Sequence, residues 1–153
     1  MSCRRVPFIV CAILAILAPS CGKPKPPPIV EAVGIVRLDG KPLKNVMVRF
    51  VPVNDFGPDF QASGITDESG RFTLMCNGRL GACACEHRVT ISEADIPERL
   101  KGEDLKVQAE LARYLESLGG RPLPSKYSNL AESPLTANVT AEQREYVLDL
   151  TTR

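Results

Sequence analysis

Residues 30–42 read VEAVGIVRLDGKP, and this stretch decides the fold class. Between Val30 and Leu38 every second position is apolar or small, which is the period of a β-strand with one face toward a core. The dipeptide Asp39-Gly40 follows at once and favours a tight hairpin turn. Residues 30–42 therefore predict a strand and the turn that begins a second one.

Six further segments outward from this hairpin have an extended or alternating pattern: 46–51, 62–66, 71–75, 87–91, 135–139 and 146–150. Stretches rich in Gly, Pro, Asn and Asp separate most of them, as expected for turns. Together with residues 30–38 they make seven short strands. We therefore expect a mainly β protein, a seven-stranded antiparallel β-sandwich. The chain has no tryptophan and only five phenylalanines, so its core should be built from Val, Ile and Leu.

One segment has helical spacing instead. Between residues 103 and 118 apolar side chains recur three and four positions apart, at Leu105, Leu111, Ala112, Leu115 and Leu118. Asp104 can cap the start of a helix, and Gly119-Gly120 ends it. We expect one amphipathic helix, inserted at about residues 93–122, which covers an open end or edge of the sandwich.

The N-terminus predicts export. Arg4-Arg5 precedes an uncharged apolar run, residues 6–18, and small residues follow, so residues 1–20 have the parts of a signal peptide. Cys21 directly after them indicates a bacterial lipoprotein, cut before Cys21 and lipidated on its sulfur. Ordinary secretion with a cut after Ser20 and an uncut membrane anchor are the alternatives. The apolar run is shorter than the roughly 20 residues needed to span a bilayer.

Residues 21–29 predict a tether between the lipid and a folded domain at residues 30–153. The tether is rich in proline and should be extended, at about 3.1 Å per residue. Without residues 1–20 the chain has 17 basic and 18 acidic residues, a formal charge of −1. No basic stripe with interleaved aromatics is present, so the sequence gives no reason to expect nucleic acid as a partner. The expected location is the cell envelope, on the outer or cytoplasmic membrane, facing the periplasm or exterior.

The densest group of reactive side chains is Cys76, Cys83, Cys85 and His87. An oxidising compartment favours a disulfide between Cys76 and either Cys83 or Cys85. Three thiolates and an imidazole would also suit zinc. However, if Cys83, Cys85 and His87 share one extended strand face, they span about 13 Å, too far for one ion. Reduced thiols are the third alternative, and His87 alone is expected to be an inward core residue.

Several motifs in order resemble a known family: VRLDGKPL at 36–43, VMVRFVP at 46–52, GITDESGRFTL at 64–74, GAC at 81–83, HRVTI at 87–91, LPSKYS at 123–128 and SPLTANV at 133–139. Their order and spacing resemble the carboxypeptidase regulatory-like domains, in particular the exported lipoproteins of this type in planctomycete bacteria. The resemblance implies a transthyretin-like sandwich, immunoglobulin-like in its Greek-key order, with no catalytic residues of its own.

Signal, tether, predicted sandwich and missing catalytic set together predict a non-enzymatic structural or binding module. The chain has one histidine and no G-x-S-x-G elbow, so nucleophilic catalysis has no obvious residues and no cofactor is expected. We expect loops at 53–61, 76–86 and 93–122 to face a protein or glycan partner, with the membrane bound through Cys21. The alternative is a small metal- or redox-responsive protein that uses Cys76, Cys83, Cys85 and His87.

Overall fold

The computed structural model describes residues 25–119, 121 and 123–153. The predicted signal peptide and Cys21 lie outside the described residues. Within them the chain forms twelve strands and one α-helix, which are, in order, β1 Ile29–Val30, β2 Val33–Leu38, β3 Lys41–Pro42, β4 Val46–Pro52, β5 Ala62–Ile65, β6 Arg71–Thr73, β7 Met75–Cys76, β8 Arg79–Leu80, β9 Ala82–Cys83, β10 Glu86–Glu93, α1 Leu105–Leu118, β11 Thr136–Asn138 and β12 Glu145–Leu150.

The mainly β class is confirmed, but the predicted count of seven strands is too low. Each of the seven predicted segments contains a strand of three or more residues: β2, β4, β5, β6, β10, β11 and β12. Two of the segments were predicted too long, because Val30 belongs to β1 and Met75 to β7, not to the strands β2 and β6 beside them. The five additional strands, β1, β3, β7, β8 and β9, have two residues each. A two-residue strand is too short to show the alternation on which the sequence prediction depends.

Two larger sheets and one small pair contain the strands. The six-stranded sheet has the order β11-β10-β4-β5-β7-β8, and the four-stranded sheet joins β12, β3 and β6 to the central β2. β1 pairs only with β9. Among the described strands β12 and β2 alone run parallel, so the all-antiparallel prediction is wrong there. The reason is that residues 139–144 cross from one sheet to the other instead of turning back in a hairpin.

The core lies between the two larger sheets. Phe50 of β4 reaches across to the other sheet, where its ring centroid lies 6.2 Å from that of Phe72 and 5.7 Å from that of Tyr146. Inward rows of Val, Ile and Leu surround these rings, as expected from the composition. The centre of the core, however, is aromatic.

The helix has the predicted ends but not the predicted apolar face. Asp104 precedes it, and Gly119 ends it in the left-handed region at φ 67°. Of the five predicted apolar positions, only Leu111 and Leu118 are half-buried, and none of the side chains in residues 105–118 is fully buried. The half-buried row is Val107, Leu111, Tyr114 and Leu118.

This difference arises because mainly the C-terminal half of the helix contacts the six-stranded sheet, at the end where β4 begins and β10 ends. The Asn45 amide, just before β4, donates a hydrogen bond to the hydroxyl of Tyr114. Just beyond the helix, Arg121 forms an ion pair of 2.9 Å with Glu93 at the end of β10. Leu105, at the other end of the helix, is 89% exposed.

Candidate functional site

The Pro-rich segment joins the domain through a short β-ladder. β1 pairs with β9, which sets Ile29 opposite Cys83 and Val30 opposite Ala82. The Ala84 N–H also donates a hydrogen bond of 2.9 Å to the carbonyl of Pro28. We call this arrangement the tether junction: residues 28–30 against residues 81–84. Among the described residues, the pairing of this segment with the domain therefore begins at the last proline, Pro28.

The junction requires a glycine at position 81. Gly81 has φ +116°, and a Cβ built on it would lie 1.9 Å from the carbonyl oxygen of Val30. No side chain fits in that space, so β1 can approach the bend only because residue 81 has none.

A tight hairpin sets the position of Gly81. β7 and β8 are joined by Asn77 and Gly78, with φ 49° and 70°, as in the type I′ turn that suits a two-residue hairpin. The interpretation of 76–86 as an open loop is therefore wrong, because it holds three short strands and Gly81, Ala82 and Cys83 are buried. The Asn77-Gly78 dipeptide was the signal that could have found this hairpin.

Three thiols gather beside the junction. We call Cys76, Cys83, Cys85 and His87 the cysteine corner. Cys76 at the end of β7 is 1% exposed and Cys83 in the neighbouring strand β9 is 0% exposed. The Cys76 thiol donates a weak hydrogen bond of 3.7 Å to the carbonyl oxygen of Asp59. Cys85 is half-buried. All three are free thiols in the structure, so the disulfide stays a prediction.

The premise that Cys83, Cys85 and His87 share one strand face is wrong. β9 ends at Cys83 and β10 begins at Glu86. Between them the Cys85 N–H donates to the Cys83 carbonyl at 2.8 Å, a hydrogen bond that closes a tight turn around Ala84. In the described residues, no three His, Cys, Asp or Glu side chains converge in an arrangement that could hold a metal ion.

His87 is a core residue, as the sequence indicated. Its side chain is 0% exposed, and its ring centroid lies 5.7 Å from that of Phe50. The Nδ1 atom is 2.9 Å from the Cys85 carbonyl oxygen, which makes Nδ1 the protonated nitrogen. The Cys85 sulfur lies against the same ring, 3.8 Å from Nε2 and 4.0 Å from Nδ1. Burial lowers the pKa of His87 below its usual value, so the ring is neutral at pH 7.

Burial has the opposite effect on the thiols. It raises the pKa of Cys76 to about 12, with the neighbouring Cys83 and Cys85 adding to the shift. It raises the pKa of Cys85 to about 11, again with a contribution from Cys83, and it also raises the pKa of Cys83. A thiol reacts as its thiolate, so all three are weak nucleophiles in the folded protein.

The other two predicted loops lie on the surface. Residues 53–61 contain a single 3₁₀ turn, Pro58–Phe60, and Val53 is exposed. The segment 93–122 carries the helix and an open groove of about 330 Å³. Its apolar floor is formed by Ile96, Tyr114, Leu115 and Leu118, with the Arg121–Glu93 ion pair at one side. The groove could not be predicted from the sequence, because it forms only where residues 93–96 lie against the C-terminal half of the helix.

Comparison of the chain with family models, with curated proteins and with solved structures gives no match.

Among the described residues, no helix combines the length and the apolar character that crossing a membrane requires.

Proposed function

We propose that the protein is an exported, non-enzymatic lipoprotein: a transthyretin-like β-sandwich of the carboxypeptidase regulatory-like type, held to a membrane of the cell envelope through Cys21. It acts as a structural or binding module, and its exposed segments meet a protein or glycan partner. The single observation that carries this proposal is the tether junction. Among the described residues, strand pairing with the domain begins at Ile29, directly after a run of prolines, which suits a head held away from a surface.

The geometry supports the spacing that this role needs. Residues 22–27 would extend about 3.1 Å each as polyproline, which places the junction about 20 Å from the lipid. The chain then continues into β1, which is paired along its whole length with β9. Because the extended tether runs directly into a paired strand, it can hold the domain at a set distance from the membrane. A flexible linker would leave that distance variable.

The core arrangement supports the sandwich. Phe50, Phe72 and Tyr146 come from two facing sheets and meet at their centre, as the inward residues of a sandwich do.

The chemistry of the cysteine corner supports a module without catalysis. His87 is the one histidine of the chain, and it is fully buried beneath Phe50, where a substrate cannot reach it. The three thiols are protonated at neutral pH because burial raises their pKa values. Redox sensors use exposed thiols of low pKa, so the arrangement favours a structural role over the redox-responsive alternative.

Metabolic labelling with radioactive palmitate tests the anchor. In a bacterium that expresses the full chain, the wild type should incorporate label and fractionate with membranes. Cys21→Ser should lose both properties. Cys11→Ser is the matched control, since it removes a cysteine of the predicted leader and should label like the wild type. Equal labelling of wild type and Cys21→Ser would contradict the proposal.

A further inference from the structure

The cysteine corner and the tether junction share one strand. Cys83 lies in β9, the strand with which β1 pairs, and Cys76 lies in β7, a strand of the six-stranded sheet. The small β1–β9 pair has no strand pairing of its own to either larger sheet. A covalent bond from Cys76 to Cys83 would therefore connect the strand that holds the tether to the main body of the domain.

The positions of the three sulfurs distinguish between the pairings. Cys76 and Cys83 are both buried in the core, on the strands β7 and β9, which lie side by side. Cys85 lies beyond the turn at Ala84 and is only half-buried, and its sulfur lies against the His87 ring, 3.8 Å from Nε2 and 4.0 Å from Nδ1. Cys76 with Cys83 is thus the pair of buried cysteines on neighbouring strands.

We propose that the exported protein carries a Cys76–Cys83 disulfide, that Cys85 remains a thiol, and that this bond fixes the tether junction to the six-stranded sheet. The inference deepens the proposed function, because it rests on export to an oxidising compartment.

The reaction is a dithiol–disulfide exchange, and its oxidant is a disulfide of a small molecule or of an oxidoreductase. One protein thiolate attacks this disulfide and releases one thiol, which leaves a mixed disulfide. The second protein thiolate then attacks the mixed disulfide, which forms the Cys76–Cys83 bond and releases the second thiol. Two protons and two electrons pass from the cysteines to the oxidant. Since burial suppresses the thiolates in the folded state, the bond forms during folding, while the sulfurs are exposed.

Tryptic mapping of the full chain tests the pairing directly. Cleavage after Arg71, Arg79 and Arg88 separates Cys76, in peptide 72–79, from Cys83 and Cys85, in peptide 80–88. Cells are quenched in acid and free thiols are alkylated before digestion. The wild type should show the two peptides cross-linked. Cys85→Ser should keep the cross-link, and Cys83→Ser should lose it.

A second arm separates this inference from the question of export. The purified full chain is unfolded, reduced and refolded in detergent with a mixture of reduced and oxidised glutathione. Here the glutathione mixture sets the redox conditions, so the result does not depend on export. The same cross-link should form. If it forms here but not in cells, export has failed and the pairing stands. If both arms leave peptide 72–79 uncross-linked, the pairing is overturned. A cross-link that survives Cys83→Ser but not Cys85→Ser overturns it as well.

Hydrogen exchange tests the role of the bond. Closing the short loop from Cys76 to Cys83 should raise the folded-to-unfolded ratio by roughly 70-fold. The amides of residues 29–33 should therefore exchange more slowly in the oxidised protein than in the reduced one. The amides of α1, which contact neither strand, should change least. Equal exchange at residues 29–33 in both forms would show that the bond does not secure the junction.

Discussion

At the scale of single residues, Gly81 leaves the least room for a side chain among the described glycines. Its backbone lies so close to Val30 that an added methyl group would overlap the Val30 carbonyl. The nearby Gly78 also has a positive φ, but nothing lies within 4 Å of the space a Cβ would take. A side chain at position 78 would therefore cause backbone strain alone, whereas a side chain at position 81 would cause both backbone strain and a steric clash with Val30.

We expect Gly78→Ala to lower the free energy of unfolding by about 1–2 kcal/mol, the cost of a left-handed alanine. Gly81→Ala should cost on the order of 3 kcal/mol or more, because the methyl group also displaces β1. Urea denaturation of both variants measures the difference. Equal losses would show that β1 does not rest against Gly81.

His87 makes stability depend on pH. Burial lowers its pKa in the folded protein, while the unfolded chain has a pKa of about 6.5. The unfolded state therefore binds more protons below pH 6.5, and stability falls as the pH falls through that value. The neighbouring Cys85, with its pKa raised to about 11, stays uncharged over this range.

The measurement is the free energy of unfolding by urea between pH 7.5 and 5.0. The wild type should lose stability over this range more steeply than His87→Leu, which has no imidazole to protonate. In this variant the Cys85 carbonyl still accepts a hydrogen bond from the Val139 N–H. If the free energy of unfolding depended on pH equally in the wild type and in His87→Leu, His87 would not be buried as a neutral imidazole.

At the scale of elements, α1 is the most weakly attached. None of the side chains in residues 105–118 is fully buried, and the helix meets the sheets chiefly through Tyr114 and Leu118. Helices with few buried contacts open locally at low cost. The strands β4 and β10, which pair over seven residues at the centre of the six-stranded sheet, should be the last to open.

Two leucines at opposite ends of α1 test this attachment. Leu118→Ala should lower the free energy of unfolding by about 1 kcal/mol, because the side chain is half-buried at the sheet end. Leu105→Ala should change it by less than about 0.5 kcal/mol, since that side chain is 89% exposed. Thermal unfolding followed by circular dichroism gives both values. A larger loss for Leu105→Ala would mean that another surface covers the N-terminal half of the helix.

The elements also show what sequence patterns can predict. Strands of three or more residues were found because alternation needs that length to appear. The C-terminal end of α1 was found because Gly119 acts locally, one residue outside the helix. Asp104 marks the start of the helix, but its side chain makes no capping hydrogen bond. The half-buried face of α1 was predicted incorrectly, because it depends on how the helix packs against the six-stranded sheet. That packing is a tertiary contact, which the spacing of apolar residues within the helix does not show. The β7–β8 hairpin was missed although Asn77-Gly78 indicated it.

At the scale of the whole molecule, one ring joins the two layers. Phe50 is fully buried and contacts Phe72 and Tyr146 of the other sheet as well as His87 of its own. Its burial could be predicted from the alternation in β4. Its partners could not, because they are brought together by strand order, and the parallel pairing of β12 with β2 has no signature in the sequence.

Phe50→Ala should therefore lower the free energy of unfolding by about 3–5 kcal/mol, through lost burial and the cavity it leaves. Val53→Ala, one residue beyond the same strand and 57% exposed, is the matched control and should cost less than about 0.5 kcal/mol. Chemical denaturation checks both. A small loss for Phe50→Ala would mean that the two sheets do not share this contact.

In the cysteine corner, too, the sequence could predict the members but not their arrangement. Its members could be selected from the sequence because Cys76, Cys83, Cys85 and His87 lie so close together along the chain. Cys83 is buried in the core beside β7, while the Cys85 sulfur lies against the His87 ring. This separation follows from the turn at Ala84, which interrupts an otherwise alternating segment. The junction with residues 28–30 depends on a pairing across more than fifty residues, beyond the reach of any local pattern.

Mass spectrometry of the N-terminal peptide is the sharpest test that the protein is an exported lipoprotein anchored through Cys21. The protein is extracted with detergent from the bacterial envelope. We expect the mature chain to begin at Cys21, with the added mass of diacylglycerol and a fatty acyl chain on this residue. A chain that still begins at Met1, or one that begins near residue 21 without lipid, would contradict it.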